Sequence, residues 1–323
     1  MKALCVFSGG LDSMLAAELI RAQDIDVQAI FFETPFFSSE KARKSARLLD
    51  LPIQVVDITQ RHLEVIKNPM YGYGGNMNPC IDCHILMFQI AGRMLESEGA
   101  HFVVTGEVVG QRPMSQNKKS LARIAVESGI KDLLLRPLSA KRLPLTLPEE
   151  RGWLRRDKLM DFQGRSRKPQ MELARVLNIK EYPSPAGGCL LTEKVFSQRL
   201  KDLIDSQSGL DLNEIELLKL GRHFRIGPHT KAVVGRNKKE NQALLSLVQY
   251  NDFVLTSTAV PGPITVVSGD GSKKLLELAA TITAAYSDAA ESETTPVRIT
   301  GESGEQIWTT KVSDKEKFRR YMI

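Results

Sequence analysis

Six consecutive residues, Ser8 to Ser13 (Ser-Gly-Gly-Leu-Asp-Ser), have types and a spacing that suit the binding of a phosphate. They directly follow an apolar stretch, Ala3 to Phe7, that is typical of a buried strand. A strand that breaks into paired glycines and then starts a helix directs backbone N–H groups and hydroxyls at one small volume. We therefore predict an ATP site here. Its predicted residues are Ser8, Gly9, Gly10, Asp12 and Ser13.

The spacing of this loop differs from that of the Walker loop, because no Gly-Lys-Ser or Gly-Lys-Thr follows it. The simplest structural alternative is a glycine-rich turn that Asp12 or Ser13 caps. The run resembles the SGGxDS loop of the PP-loop ATP pyrophosphatases, which cleave ATP between its α and β phosphates and adenylate a substrate oxygen. The resemblance implies that the serines and glycines hold pyrophosphate and that Asp12 organises magnesium or the loop itself.

Three of the four cysteines lie in segments rich in turn-forming residues. Cys80 and Cys83 form a C-x-x-C pair after the glycine-rich stretch 71–75, and Cys189 follows the proline- and glycine-rich stretch 183–188. Three loop thiolates would bind three corners of a 4Fe-4S cluster and leave one iron open for a sulfur substrate. A persulfide relay remains an alternative, as does a structural zinc site with an extra ligand such as His84.

The fourth cysteine, Cys5, differs because it lies within the apolar strand. A cysteine in such a strand is usually a small buried hydrophobic residue. We therefore predict a structural role for Cys5.

Two further stretches resemble enzymes that act on tRNA, and so indicate a substrate. Residues 105–116 (Thr-Gly-Glu, then Gly-Gln and Ser-Gln) resemble the TGExxGQ...SQ stretch of tRNA 4-thiouridine synthetases. Residues 78–83 are similar to the NPDxxC stretch of tRNA 2-thiouridylases, with Cys80 where that family often has Asp. The resemblance covers about residues 1–200 and implies that Thr105, Gly106 and Gln111 belong to the nucleotide site.

The elements that position these residues alternate between strands and helices. The pattern predicts strands at 2–7, 27–32, 53–56 and 101–105, and helices at 11–23, 38–49 and 81–98. Such alternation implies an α/β fold with a doubly wound parallel sheet, in which ligands bind at the carboxyl ends of the strands. The loop 8–13, the segment after Phe32 and the loop after Thr105 should meet there, which adds Phe32 to the predicted site.

The C-terminal part is predicted to be a separate, smaller α+β domain, residues 211–323 after a thiolation domain at 1–205. Gly235-Arg236-Asn237, Asn241, Asp252-Phe253 and Pro261-Gly262 resemble the GRN...N and DF...PG pattern of NFACT RNA-binding domains. The local pattern predicts a strand, a turn, a short helix and paired strands. We predict that Arg236, Asn237 and Lys238 contact RNA phosphates. Dimerisation, giving a homodimer, is the alternative role for this domain.

Charge is distributed unevenly along the chain, whose net charge is +6. Residues 1–100 contain 9 basic and 12 acidic side chains, residues 101–210 contain 20 and 12, and residues 211–323 contain 15 and 14. The basic middle third suits a polyanion such as RNA, whereas a solvated basic face is the alternative. Its predicted RNA contacts, which also suit ATP, are Arg136, Arg165, Arg167 and Lys168.

The composition of the 323 residues, 42% hydrophobic and 25% charged, is typical of a globular protein. No apolar run approaches about 18 residues, and Met1-Lys2 leads straight into the first strand. We therefore expect a cytoplasmic protein with no signal peptide and no membrane partner.

Together the resemblances imply ATP-dependent thiolation of a tRNA uridine, by adenylation of a carbonyl oxygen and attack by sulfur. The implied cofactors are ATP, Mg²⁺ and a 4Fe-4S cluster on Cys80, Cys83 and Cys189, with Asp12 also catalytic. The implied partners are tRNA and a sulfur donor, either sulfide or a cysteine desulfurase. The alternatives are another adenylating ligase or amidating enzyme, and a non-catalytic ATP-binding protein that associates with RNA or ribosomes.

Overall fold

The chain forms two compact units, Met1–Thr192 and Glu193–Ile323. The computed structural model describes residues 1–184, 188–206, 210–302 and 304–323. The boundary differs from the one predicted near residue 205, because the helix Lys194–Asp205 packs within the second unit. Asp202 of this helix forms an ion pair with Arg225 at 2.5 Å, and its apolar side is buried in the same unit.

The first unit is built on a five-stranded sheet in the order β3-β2-β1-β4-β5, and all four neighbouring pairs are parallel. This confirms the predicted doubly wound α/β fold. The strands are β1 (Lys2–Val6), β2 (Asp26–Glu33), β3 (Ile53–Asp57), β4 (Phe102–Thr105) and β5 (Leu134–Leu135).

Helices cover both faces of this sheet. They are α1 (Leu11–Arg21), α2 (Glu40–Leu48), α3 (Thr59–Lys67), α4 (Cys80–Ser97), α5 (Lys118–Glu127), α6 (Leu147–Glu150) and α7 (Lys168–Val176). Short 3-10 turns lie at Lys131–Leu133, Ala140–Arg142, Arg156–Lys158 and Leu190–Thr192.

Alternate residues of β1 face opposite sides of the sheet and so belong to two different hydrophobic cores. Ala3 and Cys5 join the core with α1, α2 and α7, whereas Leu4 joins the core with α4 and α5. Cys5 is fully buried, and burial raises the pKa of its thiol to about 12. It is therefore a core residue, as the sequence indicates.

The second unit contains a six-stranded antiparallel sheet in the order β11-β10-β8-β9-β7-β6. One face packs against α11 and the other against α9 and α10. The strands are β6 (Arg222–Gly227), β7 (Thr230–Val234), β8 (Phe253–Ser257), β9 (Ile264–Ser268), β10 (Thr294–Gly301) and β11 (Gly304–Lys311). The helices are α8 (Lys194–Asp205), α9 (Leu212–Leu218), α10 (Lys238–Ser246), α11 (Lys273–Ala285) and a terminal 3-10 helix, Lys315–Tyr321.

The order β7, turn, α10, then the pair β8 and β9 agrees with the pattern predicted around residues 232–262. In the ranges that the structure describes, no helix has both the length and the apolar character to cross a membrane.

Candidate functional site

A cavity of about 490 Å³ lies within the first unit, where the loops after β1, β2 and β4 converge. The α4 N-terminus and the segment around Cys189 complete its wall. This is the sheet edge at which parallel α/β folds bind ligands. The residues predicted from the sequence that line it are Ser8, Gly10, Asp12, Ser13, Phe32, Cys80, Cys83, Thr105, Gly106, Gln111, Arg167 and Cys189.

The loop after β1 is held by its own polar groups. Gly10 is the N-cap of α1, its N–H donates to Ser8 Oγ at 3.3 Å, and Ser13 Oγ donates to the Gly10 carbonyl at 2.8 Å. The first N–H groups of a helix have no partner within the helix, so this terminus favours an anion. The loop therefore directs a helix N-terminus at the cavity.

Gly9 fixes this loop against α2. Its φ is +71°, and a Cβ there would lie 2.6 Å from Ala42 Cα and 2.8 Å from the Lys41 carbonyl oxygen. Its own carbonyl accepts a hydrogen bond from Ser45 Oγ at 2.8 Å. Both the backbone conformation and the close approach of α2 require glycine at this position.

Asp12 lies at the centre of a polar chain. Its Oδ2 accepts from Gln111 Nε2 at 2.7 Å, and Gln170 Nε2 donates to Gln111 Oε1 at 3.1 Å. Among the described residues, the buried Oδ1 has no hydrogen-bond partner. Burial raises the pKa of Asp12, while the Gln111 hydrogen bond and the nearby Arg167 and Arg112 act in the opposite direction.

Three cations line the cavity on the side of this loop: Lys41 at the start of α2, Arg112 and Arg167. None forms an ion pair within the described ranges. Burial, followed by the charges of Arg167 and Arg112, lowers the pKa of Lys41, so the three cations lie near one another. Lys41 and Arg112 were not predicted, because they are 71 residues apart in sequence and belong to no recognisable motif.

Three thiols face the same cavity. Cys80 begins α4 and accepts a hydrogen bond from Asn78 Nδ2 at 3.1 Å, and Cys83 Sγ lies 2.9 Å from His62 Nε2. Burial, then the neighbouring Cys189 and Cys80, raises the pKa of Cys83 well above its usual value. All four cysteines lie in described parts of the chain, and none forms a disulfide.

His62 was not predicted, and nothing in the sequence links it to the cysteines. It is fully buried, it packs edge-on against Phe36 and Phe37, and burial lowers its pKa to about 4. His62 is therefore a neutral imidazole against Cys83.

The arrangement of the thiols bears on whether they could hold a single metal ion. No group of three or more His, Cys, Asp or Glu that could hold one occurs among the described residues. His84, the extra ligand of the predicted zinc alternative, is bonded to Glu107. A four-iron cluster is larger than one ion, so its thiol ligands stand farther apart, and three thiols around one cavity suit it chemically.

Glu107, directly after Gly106, joins two basic side chains. Its Oε1 lies 2.7 Å from His84 Nδ1 and its Oε2 accepts from Arg136 Nε at 2.8 Å. Burial acts to raise the pKa of Glu107, but the Arg136 charge and then the His84 hydrogen bond lower it to about 2. Because an ionised carboxylate only accepts, His84 Nδ1 donates, and Nε2 remains for a ligand in the cavity.

Arg136 therefore has a different role from the one predicted. The sequence indicated an RNA contact from a loop, but its side chain is 6% exposed and also donates to the Leu121 carbonyl. A buried guanidinium paired with Glu107 is not presented to RNA. The prediction for Arg136 was wrong, because the pairing partner is distant in sequence.

Replacement of Glu107 with Gln should lower the free energy of unfolding by about 3–5 kcal/mol at neutral pH, since it leaves Arg136 buried without a counter-charge. The folded-state pKa of about 2 lies below the ordinary 4.5, so the unfolded chain binds the proton more readily. The difference in the free energy of unfolding between wild type and variant should therefore become smaller as the pH falls from 4.5 towards 2. Urea unfolding across this range measures it.

The control is Glu18→Gln, which removes the more exposed Glu18–Arg21 ion pair. We expect a loss of at most about 1 kcal/mol for it. An equal loss in both variants would contradict the buried-pair interpretation.

Of the other predicted RNA contacts, Arg167 lines the cavity and the remaining five are exposed at the surface. Arg165 and Lys168 are exposed and outside the cavity lining. Arg236 is paired with Glu240, with Nη2 to Oε1 at 2.6 Å, and Asn237 caps α10 by accepting from the Glu240 N–H. Lys238 is exposed. Contact of these residues with RNA stays a prediction.

Two family models match the chain. Residues 1–141 match the model described as thiamine biosynthesis protein (ThiI), and residues 221–322 match the NFACT protein RNA binding domain.

Curated relatives match the N-terminal part. A probable tRNA sulfurtransferase of Caldanaerobacter subterraneus is 24% identical over 201 residues, which cover 50% of this chain and 51% of the relative. One of Oceanobacillus iheyensis is 29% identical over 134 residues, covering 38% and 32%. The chain spans about half the length of these relatives or less. These matches and the two family models confirm the predicted resemblances to tRNA thiouridine synthetases and to NFACT RNA-binding domains, whereas the resemblance to 2-thiouridylases stays a prediction.

Among solved structures, a 4-thiouridine synthetase–RNA complex with bound ATP is 21% identical with a TM-score of 0.36. It covers 55% of this chain, and the match covers 51% of that one.

Proposed function

We propose that this chain thiolates a tRNA uridine at the expense of ATP. The observation that carries the proposal is that the anion-binding loop and three cysteine thiols face one cavity of about 490 Å³. A nucleotide and a sulfur carrier in one cavity suit a reaction that first activates an oxygen and then replaces it. The relatives named tRNA sulfurtransferase and the match to an RNA-binding domain support tRNA as the substrate.

ATP would place its phosphates on the loop Ser8–Ser13. The α1 N-terminus offers N–H donors, and Lys41, Arg112 and Arg167 supply positive charge on the same side of the cavity. Unpaired cations that crowd one anion site repel one another until a polyanion binds. The triphosphate is such a polyanion.

Magnesium would be held by Asp12. Its buried Oδ1 has no partner in the described part of the chain, and carboxylate oxygen is the kind of ligand that magnesium takes. When bound, the ion neutralises charge on the departing pyrophosphate. Gln111 holds the other carboxylate oxygen and so fixes the direction in which Oδ1 faces.

Activation and replacement would then proceed in two steps. The uridine carbonyl oxygen attacks the α-phosphorus, and the bond to pyrophosphate breaks. Sulfide then attacks the adenylated carbon, and AMP leaves with the former carbonyl oxygen. The uridine must leave its stack to enter the cavity, which costs least at a loop position of the tRNA.

Cys80, Cys83 and Cys189 would hold the 4Fe-4S cluster. When bound, the cluster presents one iron that no protein thiolate ligates and on which sulfide can be delivered. Asn78 donates to Cys80 Sγ, and His62 lies against Cys83 Sγ. Hydrogen bonds to the ligand sulfurs orient them and limit solvent access.

The test is to incubate the anaerobically purified chain with ATP, unmodified tRNA and sulfide. We expect AMP and pyrophosphate in equal amounts, and thiouridine in the digested tRNA by mass spectrometry. Formation of ADP and phosphate would contradict the mechanism. Cleavage to AMP without thiouridine, both with sulfide and with a cysteine desulfurase as the donor, would identify another adenylating enzyme.

The three cations give a sharper prediction for nucleotide binding. Arg112→Ala and Arg167→Ala should each weaken ATP binding about tenfold or more, since a charge-assisted hydrogen bond contributes about 1.5–3 kcal/mol. AMP binding should change by less than about twofold, because AMP lacks the β and γ phosphates. Isothermal titration calorimetry with both nucleotides measures the difference.

Arg165→Ala is the matched control, because Arg165 lies two positions from Arg167 but outside the cavity lining. It should leave ATP affinity unchanged. Equal losses of affinity for ATP and AMP would indicate that the cations contact the adenosine or the α-phosphate, and would contradict the prediction.

A further inference from the structure

The terminal 3-10 helix Lys315–Tyr321 is firmly attached to the second unit. Phe318 is 5% exposed and belongs to the core under α11. Beyond the helix, the Ile323 N–H donates to the His223 carbonyl at 3.0 Å, and Met322 forms a β-bridge with Phe224 of β6. Side chains on this helix are therefore presented from a fixed backbone.

The exposed side of this helix is basic. Lys315, Lys317, Arg319 and Arg320 are all exposed, and among them the described structure pairs Arg319 alone, with Glu316 at 2.7 Å. Arg222 at the start of β6 adds a further cation, since its guanidinium and Lys315 Nζ both lie over the ring of Tyr286. We call Arg222, Lys315, Lys317, Arg319 and Arg320 the C-terminal basic patch.

Two tyrosines contact three of the five cations of this patch. The Arg222 guanidinium lies 4.8 Å and Lys315 Nζ 5.5 Å from the centre of the Tyr286 ring. The Arg320 guanidinium lies 4.8 Å from the Tyr321 ring, and its Nη2 donates to the Tyr321 hydroxyl at 2.9 Å. Cation–π contacts of this kind hold long side chains in place, which lowers the entropy that a ligand must remove.

The turn at Arg236 and Asn237, which the sequence predicts as an RNA contact, has fewer groups available to bind a phosphate than this patch. Arg236 donates from both Nε and Nη2 to Glu240, and Asn237 uses its side-chain oxygen to cap α10. These groups already have partners within the turn. Most cations of the C-terminal basic patch have no carboxylate partner in the described structure.

We propose that the C-terminal basic patch binds the sugar-phosphate backbone of the RNA substrate. The proposal rests on the proposed function, which makes tRNA the substrate. Five cations, four of them without a carboxylate partner in the described structure and three of them in contact with half-buried tyrosines, match a polyanion whose charges repeat at short spacing. The surface lies entirely in the unit that matches an RNA-binding domain, on residues that the sequence motifs did not single out.

The test compares two double variants of the whole chain. Lys315→Glu with Lys317→Glu reverses two charges of the patch, and Lys273→Glu with Lys274→Glu makes the same change at the exposed start of α11. Affinity for a tRNA transcript is measured by fluorescence anisotropy at several salt concentrations. We expect the patch variant to bind at least about tenfold more weakly, with a salt slope reduced by about 0.7–0.9 per lost phosphate contact.

Unchanged affinity in the patch variant overturns the proposal. An equal loss in the α11 variant also overturns it, because the effect would then follow from net charge alone. Matching thermal melting curves show that both variants are folded. Wild-type chain that binds tRNA through the patch but forms no thiouridine would remove the proposed function and leave the patch as an RNA surface.

Discussion

Cys189→Ala should abolish sulfur transfer to tRNA while ATP binding stays near the wild-type level. Cys189 lines the cavity beside Cys80 and Cys83, whereas the anion-binding loop is contributed by residues 8–13. Loss of one of three thiols removes the sulfur carrier without touching the phosphate site. We expect thiouridine formation to fall by at least about 10²-fold, the scale on which removal of one member of a catalytic set acts. Mass spectrometry of digested tRNA measures it.

Cys5→Ala provides the control, because Cys5 is fully buried in the strand core and outside the cavity lining. It should keep thiolation and lose only some stability. If Cys189→Ala retained wild-type thiolation, the three-thiol carrier would be disproved.

A further variant, Cys80→Ala, separates the two sulfur carriers. Anaerobic wild-type protein should absorb broadly in the visible range and contain about four iron and four sulfide per chain, and Cys80→Ala should lose both. A colourless, iron-free protein that still needs Cys83 and Cys189 would favour the persulfide relay.

Gly9→Ala should weaken ATP binding by about 10²-fold. A methyl group at this position would meet the Ala42 backbone at 2.6 Å, so α2 and the loop must separate, and φ of +71° strains any L residue. The loop would then lose the shape that directs its N–H groups at the phosphates. Calorimetric titration with ATP measures the loss.

Gly129→Ala is the matched control, since its φ is +73° but no atom lies within 4 Å of the added Cβ. It carries the backbone strain without the collision. It should cost about 1 kcal/mol in stability and leave ATP affinity unchanged. Wild-type ATP affinity in Gly9→Ala would show that the loop does not hold the phosphates.

The local hydrophobic pattern was sufficient to predict the parallel sheet and most of its helices. The seven elements predicted between residues 2 and 105 occur within a few residues of their observed bounds, because each has a strong hydrophobic period. Helix α3 was missed, since its N-cap position is occupied by Ile58, which is not a usual cap, and the Thr59 N–H is bonded to Asp57, one residue before Ile58.

What the sequence did not reveal were contacts between residues far apart in the chain. The pairing of Glu107 with Arg136 and the approach of His62 to Cys83 follow from packing alone. Arg136 was assigned to RNA because a basic residue near a proline in a short segment has the pattern of a surface loop. The segment is instead buried beside β5, so that Arg136 is an internal ion-pair partner and not a surface contact.

Gly106 and Glu107 lie between the two sides of the cavity, the loop Ser8–Ser13 on one side and the cysteine thiols on the other. A Cβ on Gly106 would lie 2.6 Å from the backbone of Asp12 and Ser13, and Glu107 holds His84, the neighbour of Cys83. In the proposed mechanism, the nucleotide site and the sulfur site would therefore share one structural support. If the proposed mechanism holds, variants that lose only one half-reaction should be sought at Arg112 or Cys189, and a change at Gly106 or Glu107 should impair both half-reactions together.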